Sequence, residues 1–211
     1  LAILLGCVVL GGAGVFLIHR HMIRRNAYVY LDDAGAARKE AEQAAAAGKS
    51  ELAQEKYREA LRAMGLYIQL RPDDLDAREE MGLLMADLLY DRRMFEQAFG
   101  LLQAVVREDP GRSKARRKLT QLLLLTRPPR YSDAREHIEN HLLAENPKDA
   151  ELLEWLGACQ AGLGDEKRAE ATFAKAVEAD PKRLTPYVQL AVLLRRSLRR
   201  EKDADQWIEK M

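Results

Sequence analysis

The sequence predicts an all-α protein: a stack of helical hairpins carried on one N-terminal membrane-spanning helix. Three observations carry that expectation. Four breaks, Leu70-Arg71-Pro72, Glu108-Asp109-Pro110, Glu145-Asn146-Pro147 and Ala179-Asp180-Pro181, recur at prolines 38, 37 and 34 residues apart, each after an apolar helical pattern. A fixed period in this range is the mark of a repeat array. Charged residues make up 32% of the 211 residues and aromatics 6%, a composition rich in helix formers that gives no support to a sheet. The chain also opens on a run of 18 residues without charge.

That run, Leu1 to Ile18, is followed by His19, Arg20, His21, Arg24 and Arg25. As a helix it reaches about 27 Å, close to the roughly 30 Å hydrocarbon core of a bilayer. A transmembrane anchor with a basic flank is therefore expected over 1–25. A cleaved signal peptide would end its apolar stretch at a small-residue site, which Gly11 to Gly14 imitate. Val15 to Ile18 nevertheless stay apolar past that point, and the basic cluster lies on the wrong side. A lipoprotein signal at Leu4-Leu5-Gly6-Cys7 would leave a mature chain starting with eleven apolar residues. Arg20, Arg24 and Arg25 favour the cytoplasm for the array, an orientation that basic residues ahead of Leu1 would reverse.

Residues 26–72 read as a juxtamembrane helix, Asn26 to Ala47, and a degenerate first repeat. Gly48-Lys49 ends the one helix; Ser50 and Glu51 begin the next in the manner of an N-cap, and it runs to Leu70. No Pro-, Gly- or Ser-rich linker separates anchor from array. The array itself spans 73–211, in units 73–110, 111–147, 148–181 and a truncated 182–211. The unit ending at Pro110 is expected to have a lengthened first helix. Arg127-Pro128-Pro129-Arg130 stretches the internal turn of the next.

The best-formed unit has Leu153, Leu156-Gly157 and Gln160 on its first helix and a turn at Gly164-Asp165. Ala169, Phe173 and Ala176 follow on one face of the second, and Asp180-Pro181 closes it. Small residues let the paired helices approach, the aromatic fills the gap, and proline ends the second helix. These intervals resemble the tetratricopeptide repeat (TPR), and the chain as a whole resembles membrane-anchored bacterial TPR-containing proteins. Weaker copies surround Met81-Gly82, Ala98, Leu102 and Val105, then Leu119-Thr120, Ala134, Ile138 and His141, so the resemblance covers roughly residues 27–211. The family fold it implies is a right-handed superhelix of about five hairpins. Trp207, Ile208 and Met211 would leave an unfilled side in the fifth, as in a piece of a longer protein.

The resemblance also implies a function, a scaffold or adaptor that holds a protein or peptide segment against the first helix of each unit. Matched residue by residue, that concave groove would show Asp76, Glu79 and Leu83, then Lys114, Arg117 and Gln121. Glu151, Glu154 and Ala158 follow, then Val188, Val192 and Arg195. Bands of alternating sign would suit a partner of complementary charge. The carboxylate clamp of chaperone-type TPRs is matched only in part by Lys114, Arg117 and Gln121. Two further roles stay open: the regulatory arm of an enzyme whose catalytic domain follows Met211, or a permanent structural subunit of a membrane complex.

Other chemistries find little footing. His137 and His141 lie four apart, yet Glu139 is off their face and no third ligand is near, so no metal is expected. Solvation of His137 and packing of His141 is the plainer account. The runs Arg112–Lys118 and Arg195–Lys202 read as solvated faces, because the net charge is +1 and acidic helices intervene, so nucleic acid is not expected. Cys7 and Cys159 lie far apart and suggest no disulfide framework. No phosphate loop, nucleophile elbow or paired catalytic carboxylates stand on a plausible scaffold. Neither an enzyme nor a cofactor nor a small-molecule substrate is expected.

Overall fold

The computed structural model describes residues 27–88 and 91–211. The apolar segment 1–18 and its basic flank, with His19, Arg20, His21, Arg24 and Arg25, lie outside the described residues. Among the described helices none is long and apolar enough to cross a membrane. Every regular element described is helical. The chain divides into two compact units, Leu1–Leu101 and Leu102–Met211.

The first unit contains α1 (27–46), α2 (Ser50–Leu70), α3 (Leu75–Leu88) and the start of α4 (Arg92–Glu108). Gly48, at φ 72°, supplies the left-handed turn between α1 and α2 that a side chain would resist. Ser50 is the first helical residue rather than the cap: Lys49 occupies that position and makes no side-chain capping bond. Ala34, Ala37, Ala41 and Ala44 of α1 and Ala53, Ala60 and Ala63 of α2 are buried. Surface ion pairs run alongside, Lys56–Glu40 at 2.8 Å and Arg38–Glu80 at 2.7 Å. α3 covers 14 residues up to the undescribed positions 89–90, and α4 covers 17.

The second unit holds the end of α4, then α5 (Ser113–Leu125) and α6 (Tyr131–His137). A π-helical turn (Ile138–Leu142) leads into α7 (Leu143–Glu145). The hairpin α8 (Ala150–Gly162) and α9 (Glu166–Ala179) follows, then α10 (Leu184–Arg196) and α11 (Glu201–Glu209). One core cluster joins Phe173 and Ala169 of α9 to Leu190, Ala191, Leu193 and Leu194 of α10 and Ala204 of α11. Gly157 is where α8 meets that core. A Cβ there would come within 2.6 Å of the Phe173 ring, so the glycine is the hollow the aromatic fills. Gly162 does the same for Tyr131 on α6, where a Cβ would lie 2.3 Å from the ring.

One turn is built four times. Proline forces its predecessor out of the helical region, and Arg71, Asn146 and Asp180 accordingly have φ of -132°, -138° and -144°. Each pre-proline N–H still bonds back into the helix it ends: Arg71 to Tyr67, Asp109 to Val105, Asn146 to Leu142, Asp180 to Ala176. Two residues past each proline an N–H turns back to the pre-proline carbonyl, at 3.1–3.3 Å for Asp74, Arg112, Asp149 and Arg183. The break is thereby closed with its polar groups satisfied, and the next helix starts at a repeatable place.

Candidate protein-binding face

Within the second unit the first helices of successive hairpins, α5, α8 and α10, are tied by a relay of charges. Asp149 caps α8, its Oδ1 accepting from the N–H groups of Glu151 and Leu152, both at 3.0 Å. Its other oxygen accepts from Arg117 Nη1 of α5 at 2.7 Å. Arg117 also pairs with Glu151 and lies over the Trp155 ring, 5.5 Å from its centroid. Glu151 reaches Arg183, the residue capping α10, at 3.5 Å, and Arg183 pairs with Glu154. Burial pushes the Asp149 carboxyl up, but the hydrogen bonds from Arg117 and the helix N–H groups outweigh it and leave the pKa below its usual value.

These pairs differ in weight. Arg117 and Glu151 are about a third exposed, where an ion pair contributes about 0–1 kcal/mol. Glu154 is different: its side chain is 8% exposed, and losing Arg183 would strand a buried carboxylate.

Of the groove residues expected from the sequence, Arg117, Glu151 and Glu154 thus meet in one network. Lys114 stands exposed at its α5 edge, and Gln121 accepts a 3.0 Å bond from Lys118. Ala158 packs against the core cluster. Val188 and Val192 are exposed at 44% and 43%, while Arg195 pairs with Asp205. Asp76, Glu79 and Leu83 lie on α3 in the first unit, Asp76 exposed and the other two half-buried. The bands of alternating sign on α5, α8 and α10 are largely spent on one another. Two residues escaped the sequence reading. Arg183 sits outside the helical pattern, and Leu184, 53% exposed, could have been found as the residue one turn before Val188.

The basic run at 112–118 is not a solvated face. Arg116 is 4% exposed, donating to the Pro110 carbonyl at 2.8 Å and lying 3.0 Å from His137 Nδ1. Arg112 pairs with Asp109 at 3.0 Å. His137, expected to be solvated, is half-buried, and burial with the neighbouring Arg116 holds its pKa below the usual value. The π-helical turn begins directly after it. Among the described residues no three metal-ligating side chains converge. Burial pushes the Cys159 thiol up to about 12, so it is protonated at neutral pH and a poor nucleophile.

Similarity to known proteins agrees with this geometry. The tetratricopeptide repeat family signature matches residues 130–194, which cover α6 to most of α10. No curated protein matches the chain. Solved structures share the fold. MamA (41-end) from Desulfovibrio magneticus RS-1 is similar at a TM-score of 0.67 and 22% identity, over 85% of this chain and 93% of that one. Another MamA crystal structure gives 0.66 and 14%, over 85% and 90%. YrrB, described as a TPR protein with an unusual peptide-binding site, gives 0.63 and 16%, over 89% of each chain. The tetratricopeptide repeat signature is therefore present over residues 130–194, and the chain shares the all-α fold of these structures.

Proposed function

We propose that this protein is a membrane-anchored TPR scaffold that holds partner proteins against the first-helix face of its repeats. One observation carries the binding role: α5, α8 and α10 are locked side by side by the Arg117–Asp149–Glu151–Arg183–Glu154 relay, yet Val188 and Val192 remain exposed beside it. A rigid face with its charges neutralised and apolar side chains left in water is suited to docking. The YrrB likeness supports the same reading, since that relative is named for peptide binding. The uncharged run over 1–18, flanked by Arg20, Arg24 and Arg25, supports the anchor.

Affinity purification from detergent-solubilised membranes tests both parts. The chain should pellet with membranes and resist alkaline carbonate extraction, and it should carry partners that are lost from a K114E/V192E variant. A chain extracted by carbonate would overturn the anchor. An unchanged partner set from the folded variant would overturn the binding face.

A further inference from the structure

On the reading that residues 1–18 anchor the chain, the first turn of α1 is kept near the bilayer. α1 begins at residue 27, nine positions past Ile18, so the connection reaches no more than about 32 Å even when fully extended. The outside of that turn is apolar. Val29 is 58% exposed and Tyr28 49%, and Tyr30 lines a groove with Leu66 of α2, itself 44% exposed. Tyr28 is held in place: its hydroxyl accepts from Arg71 Nη1 at 3.1 Å, and its ring lies 5.9 Å from that of Tyr67. A fixed tyrosine with an apolar body and a polar tip suits the boundary between lipid and water. Carboxylates limit how deep this end can go. Asp32 and Asp33 are exposed one turn on, Asp32 about 6 Å beyond Tyr28 along α1. The headgroup layer is about 5–7 Å thick, enough for Tyr28 to Tyr30 but not for the aspartates as well. At the same end Asp73 lies 3.7 Å from Arg71 Nε, and Asp76 is exposed. Those acidic groups would be repelled by anionic lipid, so apolar contact rather than charge has to hold this end.

We propose that the Tyr28–Tyr30 turn of α1 lies in the zwitterionic headgroup layer of the membrane that carries the anchor, with Asp32 and Asp33 on its water side. The α1–α2 hairpin is then a post fixed end-on to the bilayer, not a hairpin swinging on a tether. Val29 supplies the apolar contact, and the Arg71 bond orients the Tyr28 ring beside it.

The full chain reconstituted in phosphatidylcholine vesicles tests this, with a tryptophan at position 29 as reporter. In V29W, lipids brominated near the top of their acyl chains should quench the added fluorescence, taken as the difference from the parent, by at least about twofold. That quenching should survive roughly 500 mM NaCl, which screens charge but not apolar contact. Q43W stands at an exposed site fourteen residues on, nearly the same face of α1 but about 21 Å further along, and should not be quenched. Should V29W lower the thermal melt, Y30W serves as the reporter. Flotation on a density gradient separates this contact from the anchor it rests on. A chain that fails to float with the vesicles overturns both. A chain that floats with its position-29 tryptophan unquenched overturns the contact alone, and leaves the turn open to a protein partner. Equal quenching of V29W and Q43W would also overturn it, because α1 would then lie flat on the bilayer.

Discussion

The α1–α2 hairpin and the α8–α9 hairpin solve the same packing problem by opposite means. In the first unit the buried side chains of α1 are alanines, Ala34, Ala37, Ala41 and Ala44 among them, and α2 buries Ala53, Ala60 and Ala63 with Leu61 and Met64, then Tyr67 near its end. There the Tyr67 hydroxyl donates to Asp74 at 2.6 Å, and Asp74 in turn caps α3 by accepting from the Ala77 N–H at 3.0 Å. The α8–α9 hairpin instead sets a large ring against a hollow, Phe173 against Gly157, and continues that core into α10. Close approach by uniformly small residues buries little area per contact and leaves no distinctive spacing. A ring in a glycine-sized hollow buries much and tolerates little, so it also writes the recognisable motif.

The largest expected difference lies at that ring. Phe173→Ala should destabilise the protein by about 3–5 kcal/mol, as deletion of a fully buried aromatic does. Urea denaturation followed by circular dichroism reads it, and a loss below about 1 kcal/mol would show that the α8–α10 core collapses around the gap. A paired substitution sharpens the comparison next. Gly157→Ala places a Cβ 2.6 Å from the Phe173 ring and should cost about 1–3 kcal/mol through overpacking. Gly65→Ala, in the middle of α2, meets nothing closer than Met81 Cε at 3.9 Å. It should instead stabilise by up to about 1 kcal/mol through helix propensity. Equal signs at the two glycines would erase the distinction between the hairpins.

The smallest effect is one of pH. His137 has its folded pKa below the unfolded value, so the unfolded chain takes up its proton first on acidification. Its contribution is therefore complete above the ordinary histidine value of about 6.5 and is lost as pH falls through the folded pKa. The charges facing it are the buried Arg116, His141, Glu136 and Asp133; Arg116 and His141 oppose protonation, and the two carboxylates favour it. Melting temperature should fall modestly between pH 7.5 and 5.5, and His137→Asn, which offers Arg116 a neutral acceptor, should flatten that slope. An unchanged slope in the variant would place the acid sensitivity elsewhere.

Much of this architecture was legible because proline and glycine act locally. Pro72, Pro110, Pro147 and Pro181 each follow a helix that ends two residues earlier, and Gly157 faces the aromatic its spacing implied. The second glycine hollow, Gly162 against Tyr131, was not legible, because its two members lie 31 positions apart on different hairpins with no shared spacing rule. The charge pattern of the first-helix face was half legible. Helical periodicity put Glu151, Ala158, Val188 and Val192 on α8 and α10, but it took packing to show that Arg117 and Arg183 pair with the acidic groups. The run Arg112–Lys118 misled for the same reason. Seven successive residues of a helix point in every direction, so one run holds a buried Arg116, a paired Arg117 and an exposed Lys114.

The sequence by itself determined where helices form and where they stop, since those depend on periodicity within a few turns and on the backbone limits that proline imposes. It also determined that one hairpin would carry a ring-and-hollow core. Only the tertiary structure decided which charges remain available. Asp149 meets Arg117 across 32 residues, and Glu154 meets Arg183 across 29. Coulombic pairing depends on distance in space and on burial, which spacing along one helix does not encode. That is why a face that reads as alternating charge in the sequence folds into one whose charges are largely paired, with Leu184, Val188 and Val192 of α10 exposed beside them.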